Sequence, residues 1–172
     1  MQQTMIALVE NKPGVLNRVA SLFRRRNYNI ESLAVGRTEN PDVSRMTIVV
    51  EGDPQDTARI EANLYKLVNV LDVQDVTGQP AITRDLALIK VKAEPKQRAE
   101  VTALAEVFRA RVVDVAPDSL ILEITGTEDK IESLMELLRP FGILEMVRTG
   151  QVAMLRGTAT GVRHTPGTNG RK

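Results

Sequence analysis

The chain repeats its own order of elements. Residues 4–76 and 85–149 each read strand, helix, strand, strand, helix, strand. The two passages also close alike: Leu71-Asp72-Val73 leads into Thr77-Gly78, and Leu144-Glu145-Met146 leads into Thr149-Gly150. Each βαββαβ passage should form a four-stranded antiparallel sheet with both helices on one face. The predicted class is therefore α+β, with two ferredoxin-like βαββαβ units. Residues 1–78 form the first, 79–83 a linker around Gln79-Pro80, and 84–157 the second. Residues 158–172 hold Gly, Thr, Pro and basic residues without an apolar period and read as a disordered tail.

The element assignments rest on periodicity and punctuation. In the first unit, strands are expected over 4–10, 30–36, 44–51 and 70–76. The first helix, 14–26, buries Val15, Val19, Leu22 and Phe23 and ends in Arg24-Arg25-Arg26, where cations suit the helix dipole. Asn27 follows as a left-handed helix stop. Asp53-Pro54 opens the second helix, with Ile60, Leu64 and Leu67 on one side. In the second unit, strands are expected over 85–92, 111–115, 119–125 and 143–149. A helix over 96–110 carries Val101, Leu104, Ala105 and Phe108. Thr127 caps the last helix, which bears Ile131, Leu134, Met135 and Leu138.

Composition removes several functions that such sheets serve elsewhere. There is no Cys, which excludes disulfides, thiolate metal sites and iron–sulfur clusters. Aromatic residues are 3% of the chain, and the expected central strands, 4–10 and 44–51, have none, which disfavours an RNA-recognition surface. A net charge of +1 gives no electrostatic case for nucleic acid. No apolar run approaches the roughly 20 residues of a membrane span. The N-terminus has no basic segment followed by an apolar signal core, so a cytoplasmic location is expected. The single His164 lies in the tail. No Ser/His or carboxylate pair reads as catalytic: Asp53/Asp56 and Glu128/Asp129 sit at helix starts, where capping explains them. Arg18 and Arg45 are isolated anion-binding candidates.

The segment Asn11-Lys12-Pro13-Gly14-Val15 joins the first strand to the first helix. Pro13 and Gly14 leave the helix start close to bare backbone, and the N–H groups and dipole of a first turn can receive a carboxylate without Lys or Arg. Asn11 and Asn29 have a plain reading as turn residues. Their functional reading is positional: Asn11 ends the first strand, Asn29 precedes the second, and both are expected at the same end of the unit as Gly14. Arg24-Arg25-Arg26 reads as a solvated helix end, with a basic docking patch as the alternative.

Three stretches carry a resemblance: Glu10-Asn11-Lys12-Pro13-Gly14-Val15-Leu16-Asn17-Arg18-Val19, Tyr28-Asn29-Ile30-Glu31-Ser32-Leu33-Ala34-Val35-Gly36-Arg37-Thr38, and Ser44-Arg45-Met46-Thr47-Ile48-Val49-Val50 with Gly52-Asp53. With Leu88-Ile89-Lys90-Val91, Val113-Asp114-Val115, Glu123-Ile124-Thr125-Gly126 and Arg148-Thr149-Gly150, they make nearly the whole chain similar to the small regulatory subunits of acetohydroxyacid synthase (acetolactate synthase). The Pro-Gly loop alone marks ACT domains generally. Two departures stand out: Asn17 where the family usually has Ser, and Asn27 where it usually has Gly.

The resemblance implies an N-terminal ACT domain and a C-terminal ACT-like domain in a chain that is not an enzyme by itself. It implies a homodimer whose partner is the large catalytic subunit. That partner would hold thiamine diphosphate, Mg²⁺ and FAD, none expected on this chain, and would serve branched-chain amino-acid synthesis. The small subunit would activate it and confer feedback inhibition by valine, with weaker effects of leucine or isoleucine. The implied effector site is Asn11, Gly14 and Val15 of one chain, with Asn29 and Ile30 of a neighbour. No catalytic and no metal residue is implied. The alternative is a stand-alone ACT-domain amino-acid sensor, or a regulator of another enzyme.

Overall fold

The structure is a computed structural model and describes residues 1–157. The tail expected over 158–172, with His164, lies outside the described residues. The first unit holds β1 (Gln2–Glu10), α1 (Val15–Arg25), β2 (Ile30–Arg37), β3 (Val43–Glu51), α2 (Pro54–Leu64) and β4 (Val70–Asp75). Its strands run in the order β2-β3-β1-β4, all neighbours antiparallel. The split βαβ arrangement expected from the repeat is thus formed.

Alternation along the strands decides which side chains meet the helices. Met5, Ala7 and Val9 of β1 and Met46, Ile48 and Val50 of β3 point to one face. There they enclose a core with Val15, Val19 and Phe23 of α1 and Ile60 and Leu64 of α2. Leu22, expected inside, is only partly buried against this core. Asp53 accepts from the N–H groups of Gln55 and Asp56 while Asp56 reaches back to the Asp53 N–H, so α2 starts with a complete capping box. Asn27 does take the left-handed conformation, at φ 58°.

The second unit repeats the plan with β5 (Ala81–Lys92), α3 (Arg98–Val107), β6 (Arg111–Val115), β7 (Ser119–Gly126), α4 (Glu128–Leu138) and β8 (Ile143–Arg148). The strand order is β6-β7-β5-β8. Ala87, Ile89, Val91, Leu120, Leu122 and Ile124 line its helix-side core with Val101, Ile131 and Leu134. Thr127 occupies the N-cap position of α4 in extended geometry, but its hydroxyl makes no capping bond; Glu128 and Asp129 in the first turn complement the dipole instead.

One further strand, β9 (Val152–Leu155), pairs with β5. From the sequence, residues 84–157 are expected to stay together. By packing, the compact units are Met1–Ile82 with residues 153–157, and Thr83–Val152. The physical reason is a second, small apolar cluster on the face of the first sheet away from the helices. Ala153 and Leu155 meet Ile6 and Val76 there, and the Arg45 Nη2 donates to the Ala153 carbonyl at 2.7 Å. Among the described residues, no helix is long and apolar enough to cross a membrane.

Candidate functional site

The loop from β1 to α1 is held by the turn between β2 and β3. The Asn11 N–H donates to the Asp42 carbonyl and its Nδ2 to the Pro41 carbonyl, both at 2.8 Å. One of the two amide N–H groups of Asn11 is therefore committed to structure, and the turn reading of Asn11 is right as far as it goes. Gly14 follows at the N-cap with φ 83° and ψ −8°. An added Cβ at Gly14 would meet nothing within 4 Å, so the left-handed backbone, not crowding, calls for glycine.

The helix start beyond Gly14 is unusual within this chain. α1 has no side-chain cap and no acidic residue in its first turn. α2 has its capping box, and α3 and α4 each carry first-turn carboxylates. The Val15 side chain is buried in the core, and its N–H makes only a long bond of 3.4 Å to the Lys12 carbonyl. The next donors along the turn are the N–H groups of Leu16 and Asn17, two positions that the sequence reading did not include. Both side chains are exposed.

Asn29, expected at the same end of the unit as Gly14, lies at the opposite end with Ile30 after it; this corrects the expected placement. Glu10 pairs with Val43 and Arg37 with Ser44, so the ends of β1 and β2 share one edge of the sheet. Gln2 pairs with Glu51 and Ile30 with Val50 at the opposite edge. β1 runs toward the Gly14 loop, α1 runs back, and β2 must start where β1 started. Within one chain Asn11 and Asn29 are therefore at opposite ends. Asn29 is exposed and its Nδ2 donates to the Glu31 carboxylate. Ile30 leans on the core just before a bulge in the β2–β3 register.

Around the loop, Glu10 accepts from Asn69 Nδ2 at 2.7 Å and pairs with Lys12 at 3.1 Å. The Asn69 hydrogen bond and then that of Lys12 hold the Glu10 carboxyl below its ordinary range. Asn69 is buried, and its Oδ1 accepts from Arg18 Nη1 at 2.5 Å. The sequence reading named Arg18 but missed Asn69, whose role depends on contacts 51 and 59 residues away. Arg45, the other candidate cation, is spent on Ala153; burial pushes its pKa down and Glu39 pushes it up. Among the described residues, no group of three or more His, Cys, Asp or Glu side chains could hold a metal ion.

Two βαββαβ units, the first opening on a Pro-Gly loop at a bare helix start, define an ACT-type chain. A family model described as an AHAS small subunit-like ACT domain matches residues 5–72, and one described as the small subunit of acetolactate synthase matches residues 84–157. A probable acetolactate synthase small subunit of Archaeoglobus fulgidus is 53% identical over 157 residues, 91% of this chain and 98% of that one. The acetolactate synthase small subunit of Bacillus subtilis is 48% identical over 160 residues, 92% of each. The crystal structure of the small subunit from Thermotoga maritima superposes with a TM-score of 0.86 at 40% identity, covering 91% of this chain and 98% of that chain. This chain belongs to the acetolactate synthase small-subunit family.

Proposed function

We propose that this chain is the regulatory subunit of acetohydroxyacid synthase, raising the activity of the catalytic subunit and making it sensitive to valine. The supporting observation is the start of α1, a turn of backbone donors and positive dipole with no counter-charge of its own. A free amino acid brings a carboxylate of the right size for such a turn. The Gly14, Val15, Leu16 and Asn17 N–H groups receive it, beside the Asn11 amide. The ammonium needs neutral acceptors. The partner subunit's Asn29, and a backbone carbonyl near the partner subunit's Ile30, provide them.

The strand directions support one way for the two halves to meet. β2 is an edge strand. Pairing β2 with β2 of a second copy about a two-fold axis runs the strands antiparallel. The Ile30 end of one copy then lies beside the Arg37 end of the other, which is the end that holds Asn11. One dyad thus builds two equivalent sites and covers two open strand edges. Valine switches the catalytic partner only by binding one arrangement of this dimer better than another. The second unit, which lacks the Asn-x-Pro-Gly loop, serves dimer stability and contact with that partner. Thiamine diphosphate, Mg²⁺ and FAD belong on the partner.

The test is reconstitution. Mixing this chain with the catalytic subunit should raise acetolactate formation, and valine should then lower it. Leucine and isoleucine, about one methylene different, should act more weakly by roughly 1–3 kcal/mol. Activation without any amino-acid response would remove the sensor half of the reading. No activation at all would leave a stand-alone sensor.

A further inference from the structure

A groove of about 410 Å³ lies between α1 and the chain that leaves α2. That volume is in the range of small-molecule sites, about 300–1,000 Å³. Arg18, Arg25, Arg26 and Lys66 line it, and no carboxylate does. Among the described residues, none of these four cations forms an ion pair. Charge balance over the whole chain makes this local imbalance more telling, since the net charge is only +1.

Two of the cations are brought to one point. Arg26 Nη2 and Lys66 Nζ both donate to Asn63 Oδ1, each at 3.2 Å. The Asn63 amide is fixed by its own donation to the Arg59 carbonyl at 2.7 Å. Two positive groups on one neutral oxygen repel each other, and an anion between them removes the repulsion. Arg18 also lines the groove. Buried Asn69, itself held by Glu10, takes one of its N–H groups and leaves the rest of the guanidinium fork for a ligand.

We propose that this groove binds a small, multiply charged anion bearing phosphate groups. Guanidinium forks match phosphate oxygens two at a time, while Lys66 supplies a point charge. The Asn17 and Ser21 side chains in the lining add neutral donors. The groove is of metabolite size, which favours a free phosphate compound over an acidic protein segment. It meets the valine site only at Asn17, whose backbone N–H serves that site and whose side chain lines the groove.

The experiment is calorimetric titration of the full chain with inorganic pyrophosphate, at ionic strength held constant with chloride. One saturable site per chain is expected. Arg25→Gln and Lys66→Gln, both on exposed side chains, should each weaken it about tenfold, as loss of one charged hydrogen bond does. Arg24→Gln removes the same charge from α1 but outside the groove lining, and should leave binding within a factor of two. No saturable binding overturns the proposal, and so does an Arg24→Gln loss equal to that of Arg25→Gln. If pyrophosphate fails and the two groove variants instead weaken capture of the catalytic subunit, the groove is a protein interface. Valine response is read on the same variants; Arg25→Gln and Lys66→Gln leave Asn11, Gly14, Asn17 and Asn29 in place, so a failed anion site and a failed valine site are told apart.

Discussion

Gly14 lets charge be separated from backbone strain. Its φ of 83° taxes any side chain by about 1 kcal/mol, but a side chain there points into open space. Gly14→Asp and Gly14→Ala should therefore both fold with melting temperatures lowered by a few degrees. Only Asp places a negative charge where the proposed site takes the valine carboxylate. We expect Asp to abolish valine inhibition, Ala to keep most of it, and both to keep activation; equal loss in both would assign the effect to the backbone. Asn29→His should weaken valine inhibition in the same assay while leaving activation intact. Arg148 gives a stability prediction. It holds the buried Asp85 at 2.6 Å and also faces Glu128 and Glu132 at 3.7 and 3.1 Å. Both contacts fall on Asp85 Oδ2 and its Oδ1 has no hydrogen-bond partner, so Arg148→Met leaves a buried charge uncompensated. The expected loss is about 3–5 kcal/mol in urea unfolding, with most of it recovered by adding Asp85→Asn. The Gly14 loop was legible because Pro-Gly before an apolar period has one structural meaning. The Arg148 hub was not, because its carboxylates stand 16 to 63 positions away in the chain.

Among the elements, α2 and β4 enclose the clearest pH response. Burial, then Asp75 and Asp72, push the Glu61 pKa up. Burial and the hydrogen bond to Asp72 likewise push Tyr65 up. A carboxyl with a raised folded pKa binds its proton more tightly when folded, so stability falls as pH rises from the ordinary Glu value through the folded one. Glu61→Gln removes that loss. The variant should melt with the wild type near about pH 4 and above it near about pH 7. Glu61 is partly exposed, so solvent screening keeps the gain well below about 1 kcal/mol. A variant that melts lower at neutral pH would contradict the assignment. The element order itself was readable, since strand alternation and helical spacing survive in both repeats. β9 was not: four residues beside a polar tail carry too little period, and their partner Ile6 is some 150 positions earlier. The misplacement of Asn29 has a different cause. The order of elements was right, but α1 returns the chain to the start of β1 before β2 begins.

At the scale of the molecule, that correction makes the sensor reading more demanding. A valine site assembled from Asn11 and Gly14 of one copy and the partner subunit's Asn29 does not exist in a single chain, so valine must favour whatever pairs the two. By linkage, binding to the dimer and not the monomer stabilises the dimer by the differential binding free energy. At valine concentrations near one hundred times its dissociation constant, two filled sites give up to about 5 kcal/mol, since each contributes about 2.7 kcal/mol. Sedimentation of the wild type over a dilution series should therefore show dissociation shifting to lower protein concentration when valine is added. Asn29→His should retain the valine-free dissociation curve and lose the shift, because it alters the ammonium end and not the β2 pairing. A valine-saturated chain that sediments as monomer would place the whole site inside one copy, where Asn29 cannot reach it. A dimer equally tight with and without valine would mean that the effector reads an internal rearrangement of a permanent dimer. In that case the coupling must be sought in the response of the catalytic subunit, where roughly 1–3 kcal/mol is the usual scale.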